Sequence, residues 1–183
     1  MLPDASYDPA MPELVIPSPR WAVGYREALR EAAEIGDAVP WDPEFDCTAE
    51  ALNAHIDAMG RGIWGPGSTQ PTQLLCWWVD GDDYLARISL RFPEIRADNP
   101  TFYSGHGDIG YDVRPSARGR GIATAMLKAM LETARERGYP DVLITCDIAN
   151  EASRRVLEKA GGSLLDEYDD NGELVFRYQF NWS

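Results

Sequence analysis

The sequence predicts one α/β domain over residues 1–183, with a mixed, mostly antiparallel twisted sheet flanked by helices. Three observations carry that expectation. Two pairs of short apolar runs, 74–79 with 84–92 and 164–168 with 174–180, are each joined by a few turn-forming residues, as hairpins are. Between them, residues 109–160 read in the order strand, helix, strand, helix. A chain of 183 residues, 44% of them hydrophobic, is at the upper end of one ordinary domain and has ample material for a core.

Residues 1–12 are proline-rich and read as a loose arm before a short apolar strand at Leu14, Val15 and Ile16. Ser18 and Pro19 form a helix start, with serine free to cap and proline suited to the first turn. Trp21, Tyr25, Ala28, Leu29 and Ala32 then recur at helical spacing, and Gly36 offers a stop. Thr48 can cap a second helix that carries Leu52, Ile56 and Met59 on one face. The run 74–79 is continuous and apolar, which predicts a buried strand. From Tyr84 the pattern alternates, with Tyr84, Ala86, Ile88, Leu90 and Phe92 on one side and Leu85, Arg87, Ser89 and Arg91 on the other.

Residues 93–107 read as a longer polar loop, and 109–113 as a strand stopped by Pro115. Ile122, Met126, Leu127, Met130, Leu131 and Ala134 mark an amphipathic helix closing near Gly138. Residues 142–145 are a further strand, and Asn150 opens a helix whose buried face is Ala152, Val156, Leu157 and Ala160. Asp170, Asn171 and Gly172 form the last hairpin turn.

The formal charge of −13, from 30 acidic against 17 basic residues, disfavours nucleic acid or an anionic membrane as a partner and suits a cationic acceptor or basic peptide. The same charge also serves solubility. Cys47, Cys76 and Cys146 form no CxxC pair or disulfide framework, which favours a reducing cytoplasm. The first residues lack the basic start and apolar run of a signal peptide, and no stretch is long enough to span a bilayer. With only His55 and His106 as histidines and no zinc-like spacing, no metal is expected.

The most informative stretch is Tyr111-Asp-Val-Arg-Pro-Ser-Ala-Arg-Gly-Arg-Gly-Ile-Ala123, a strand running through a glycine-interrupted basic turn into a helix. Gly119 and Gly121 let backbone approach an anion, the first amides of the helix point at it, and the helix dipole adds attraction. Arg118 and Arg120 bring positive charge to an acidic chain. The turn also suits a plain strand-to-helix connection. It is neither a Walker loop nor a dinucleotide fingerprint, because no Gly-Lys-Ser/Thr follows and the glycines lack GxGxxG spacing.

On these residues the chain resembles the GNAT superfamily of N-acetyltransferases, whose most diagnostic element is Arg or Gln, two residues, Gly, one residue, then Gly or Ala. Arg118, Gly121 and Ala123 match it. The resemblance covers about half the chain, from Tyr84 to Gly162, and the wording GYDVRPSARGRGIATAML and VLITCDIANEASRRVLEKAGG looks especially like an uncharacterised bacterial subgroup. It implies a sheet splayed between its central strands and acetyl-CoA (coenzyme A) as co-substrate. The implied function is acetyl transfer to a primary amine of a small molecule or peptide. The alternative is a non-catalytic acyl-CoA-binding or sensing module. A homodimer stays open.

By the same resemblance, the amide of Val113 faces the thioester carbonyl, and the pyrophosphate rests on Arg118, Gly119, Arg120, Gly121, Ile122 and Ala123. Asn150 contacts the pantetheine arm, with Ser153 as neighbour; Asn150 also reads as a helix N-cap. Many relatives carry a tyrosine seven residues after that asparagine to protonate the leaving thiolate, but this chain has Leu157, which reads as core. The general acid is then missing, supplied by another group such as Tyr168 or Tyr178, or replaced by water. Asp108 and His106 are the candidates for the base, each also readable as a solvated loop residue. Cys146 reads as packing rather than as a nucleophile. Trp41 and Trp64 flank the second helix, where the resemblance puts the acceptor pocket, and either can stack on a cation.

Overall fold

The computed structural model describes residues 12–37, 48–63, 69–94, 107–170 and 173–182. Ser18 Oγ accepts the amide of Arg20 at 3.4 Å, and a short 3-10 turn, Pro19–Trp21, runs directly into α1, Ala22–Glu34. Thr48 Oγ1 accepts the amide of Ala51 at 3.2 Å and so caps α2, Ala49–Gly60. The other helices are α3, Ile122–Glu136, and α4, Glu151–Ala160.

The strands form two sheets. β1 (Glu13–Val15), β2 (Gln73–Asp80), β3 (Asp83–Arg91) and β4 (Ile109–Val113) pair in that order, each antiparallel to the next. β5 (Asp141–Asp147), β6 (Ser163–Asp170) and β7 (Glu173–Asn181) form the second in the order β5-β7-β6, again antiparallel. Both expected hairpins are present, although Asn171 and Gly172 of the last turn lie outside the described residues, as do Cys47, Trp41, Trp64 and most of the 93–107 loop.

Alternation along β3 decides how the helices pack. Ala86, Ile88 and Leu90 turn to one face and meet Met126, Leu127 and Met130 of α3, all essentially sealed from water. On the opposite face Leu75 and Trp77 of β2 meet Tyr25 of α1 and Leu52, Ile56 and Met59 of α2, with the Tyr25 and Trp77 rings stacked at 4.8 Å. Each aliphatic side chain buried this way contributes about 1.5–3 kcal/mol. The side of β3 carrying Arg87, Ser89 and Arg91 belongs to that second face, so polar groups enter the α1 side of the sheet.

β4 and β5 meet at their starts. The Asp108 amide donates to the Leu143 carbonyl at 2.6 Å, and the Leu143 amide donates back to Asp108 Oδ2 at 2.7 Å. Gly107, at φ +61, makes this approach feasible, because a Cβ there would lie 2.6 Å from the Leu143 carbonyl oxygen. Beyond this point β4 and β5 belong to separate sheets, and the far end of β4 borders a cavity, so the expected splay between the central strands is the form the fold takes.

Candidate active site

Ladder parity sets which backbone groups of β4 face the splay. The amides of Arg114 and Arg91 donate to Leu85 and Asp108 carbonyls at 2.9 and 2.8 Å, and alternate residues of an antiparallel strand bond the same neighbour. Val113 is therefore out of phase with β3, and its amide and carbonyl point into the opening. That carbonyl accepts Arg118 Nε at 3.1 Å.

After β4, a 3-10 turn at Pro115–Ala117 leads to Gly119 and to Gly121, which caps α3 in the left-handed conformation at φ +81. A Cβ on Gly121 would meet no atom within 4 Å, so the glycine serves the backbone conformation and an open space beyond it. The first intrahelical bond runs from the Ala125 amide to the Gly121 carbonyl at 3.1 Å, which leaves the amides of Ile122 to Thr124 directed out of the helix start.

The loop is tied to α1. Arg114 pairs with Glu31 at 2.6 Å and Glu27 at 3.3 Å, and the Ser116 amide donates to Glu31 at 3.0 Å. The Arg114 hydrogen bond holds the Glu31 carboxyl down at about 2. The Arg118 guanidinium also pairs with Asp37, just past α1. Its charge thus braces the loop against the end of α1.

A cavity of about 550 Å³ opens between the end of β4, this loop and α4. Val113, Arg118, Gly119, Gly121, Ile122, Ala123, Asn150 and Ser153 all line it; Arg120 is exposed and does not. Asn150 Oδ1 accepts the Ser153 amide at 2.9 Å, so the helix-cap role is made. Arg155 and Lys159 of α4 add positive charge to the lining, a pair whose i, i+4 spacing was the available signal in the sequence.

The model of the family described as acetyltransferase (GNAT) domain matches residues 20–163. The chain belongs to the GNAT acetyltransferase family. A search of curated protein sequences finds no match. Among solved structures, the chain is similar to RimL, a ribosomal L7/L12 alpha-N-protein acetyltransferase in complex with coenzyme A, at 18% identity and TM-score 0.64, covering 98% of this chain and 97% of that one. It is also similar to a ribosomal-protein-S5-alanine acetyltransferase from Vibrio fischeri, at 14% identity and TM-score 0.65, covering 97% of each chain. The microcin C7 self-immunity acetyltransferase MccE, in complex with acetyl-CoA and AMP, follows at 14% identity and TM-score 0.64, covering 93% and 92%. At these identities the likenesses speak to the fold.

In this acetyltransferase the cavity also takes in Tyr111, whose hydroxyl lies 2.8 Å from Ser153 Oγ. Burial pushes its phenol up to about 12, against a smaller opposing effect of the Ser153 hydrogen bond. Leu157, one turn after Ser153, is fully buried, as its apolar pattern predicts. Cys146 is 7% exposed and its thiol is raised by burial, which fits packing rather than nucleophilic chemistry.

The other candidates for proton transfer fall elsewhere. Asp108 is 1% exposed at the closed end of the splay with its carboxylate on the Leu143 amide, so it is a buried link between the sheets and not a solvated loop residue. Tyr168 belongs to β6, the strand two places from β5, with its ring under the Arg177 guanidinium at 5.1 Å. Tyr178 donates to Glu158 at 3.1 Å, and neither tyrosine lines the cavity. His106 lies outside the described residues. No described helix is long and apolar enough to cross a membrane.

Proposed function

We propose that this acetyltransferase transfers the acetyl group of acetyl-CoA to a primary amine, with the cofactor in the 550 Å³ cavity between β4, the α3 loop and α4. The observation that carries the reading is the convergence of the Val113 amide with the outward amides at the start of α3 on one opening. The α3 amides suit a pyrophosphate, and Arg155 and Lys159 suit further phosphate charge in a chain whose net charge is −13.

The transfer needs few groups. The amine nitrogen bonds the acetyl carbon, the carbon–sulfur bond breaks, the amine loses a proton, and the thiolate gains one. The Val113 amide is suited to the carbonyl oxygen, where charge develops. Tyr111 takes the part that Leu157 cannot. Its phenol, near 12, is too weak an acid to surrender its proton to a thiolate whose conjugate acid titrates near about 8.5, so it acts as a hydrogen-bond donor that stabilises the leaving sulfur. Ser153 holds the hydroxyl.

The test combines two measurements on the full chain: thermal stabilisation by acetyl-CoA, and thiol release with a panel of amines and N-terminal peptides. Stabilisation plus amine-dependent release supports the reading. Stabilisation with no release for any amine would instead identify an acyl-CoA sensor.

A further inference from the structure

A second cavity, of about 240 Å³, lies on the α1 side of β3 and β4, with Gln73, Arg87, Ser89, Arg91 and Gly110 around it. Arg87, Ser89 and Arg91 alternate along β3 and so share one face. The register sets Gln73 beside Arg91 and Gly110 beside Ser89. Gly110 leaves room at the centre: a Cβ there would sit 3.6 Å from Arg91 Nη2 and 3.7 Å from Ser89 Oγ. Donors therefore converge on the space that a side chain at 110 would take.

Among the described residues the lining contains two arginines and no acidic residue, in a chain of net charge −13. Both guanidiniums are held, Arg87 by an ion pair with Asp112 and Arg91 Nη1 on the Gly107 carbonyl at 2.8 Å. A held guanidinium loses little freedom when it engages a ligand, and its fork matches a carboxylate. Tyr111 lines this cavity and the cofactor cavity alike, so the two adjoin across β4. Gly110 precedes Val113 by three residues, about 10 Å along the strand at a rise of about 3.3 Å each.

We infer that this cavity seats the carboxylate of the acceptor, so that the amine substrate is an amino-carboxylate whose two ends are several bonds apart. The inference rests on the acetyl transfer proposed above and reverses the cationic acceptor expected from net charge. The field of the whole chain is negative, but among the described residues the charged groups that line this cavity are arginines.

The experiment measures thiol release with ω-amino acids from glycine to aminohexanoate, each against its own carboxamide, and titrates the same pairs calorimetrically into the protein with coenzyme A present. Carboxylates should exceed their carboxamides by about tenfold or more in kcat/KM, with an optimum at an intermediate or long chain. In Arg91→Gln the loss on the carboxylate should exceed the loss on the carboxamide by about tenfold. Gly110→Val, which fills the space without removing a charge, should raise KM for both members of a pair, with stabilisation by acetyl-CoA as the check on folding. Equal use of carboxylate and carboxamide, or an Arg91→Gln loss equal on both, overturns the inference. If no amine releases thiol, the transfer reading fails, and calorimetry still decides: carboxylate binding lost in Arg91→Gln upholds the seat, and no carboxylate binding rejects it.

Discussion

Arg118 Nε donates to the Val113 carbonyl at 3.1 Å, joining the glycine-rich loop to the residue whose amide points into the splay. The same guanidinium holds Asp37, so one side chain fixes β4, the loop and the end of α1 together. Arg118→Ala should weaken acetyl-CoA binding by about tenfold, equivalent to about 1.4 kcal/mol, with a small change in melting temperature because the site is half exposed. Arg118→Lys should recover only part of this, since an ammonium cannot reproduce the fork. Calorimetric titration with acetyl-CoA checks both.

Gly121 caps α3 at φ +81 with open space beyond its Cα. Gly121→Val should lose acetyl-CoA binding and cost roughly 1–3 kcal/mol of stability, because a β-branched residue is strained there and projects toward the opening. Gly121→Ala should be milder on both. A Val variant with unchanged affinity would mean that the loop is only a connection.

How far the sequence could be read follows from which interactions are local. The Ser18 and Thr48 caps, the β2–β3 hairpin and the α3 apolar stripe depend on neighbours within a few positions, and each formed as its spacing implied. The glycine-rich turn into α3 was legible for the same reason, as glycine, arginine and helix start lie in one short run. The surroundings of the titratable candidates were not, because they depend on which strands adjoin. Asp108 reads as a loop residue until β5 presents the Leu143 amide to it. Tyr111 reads as one more strand aromatic until α4 brings Ser153 to its hydroxyl. The two-arginine cavity depends on the β2–β3–β4 register, and net charge, summed over the whole chain, pointed the opposite way.

Tyr111→Phe removes the hydroxyl and keeps the ring. It should lower kcat by about 10- to 100-fold while leaving acetyl-CoA affinity within about twofold, the pattern of a group that acts mainly on the departing sulfur. Ser153→Ala should give a smaller loss, since the phenol survives with less orientation. Poorer thiol leaving groups should widen the Tyr111→Phe deficit, a trend that a purely structural tyrosine would not produce.

His55 of α2 sits 3.4 Å from the Tyr25 hydroxyl, and burial, helped by the Arg87 charge, pushes it down to about 4. The folded chain thus holds it neutral while the unfolded chain binds a proton below its ordinary 6.5. Its contribution is complete above that value and is lost as pH falls toward 4. Glu31, held near 2 by Arg114, adds a loss that begins only below 4.5. Melting temperature should be level above about pH 7 and fall in two stages on acidification. His55→Gln should flatten the first stage and spare the second; melts between pH 7 and 3 in both proteins would test the assignment.

Asp108 supplies the last prediction, because its surroundings fit a joint rather than a proton acceptor. Its amide and carboxylate both engage Leu143, and its carbonyl accepts the Arg91 amide at 2.8 Å, so one residue links β3, β4 and β5 where the sheets converge. Asp108→Ala would strand the part-buried Leu143 amide, at roughly 1–3 kcal/mol, and loosen the angle at which the splay opens. Melting temperature should drop by several degrees, and acetyl-CoA affinity should fall with it, since the cavity walls diverge from this point. Asp108→Asn keeps an acceptor and should recover much of the stability. A catalytic base predicts the reverse: full stability and cofactor affinity in Asp108→Asn with kcat down by about 10²- to 10⁴-fold at neutral pH, and relief as pH rises. Thermal melts, acetyl-CoA titrations and rate–pH profiles on the two variants separate the roles, and a large kcat loss in a stable, cofactor-binding Asp108→Asn would reject the joint.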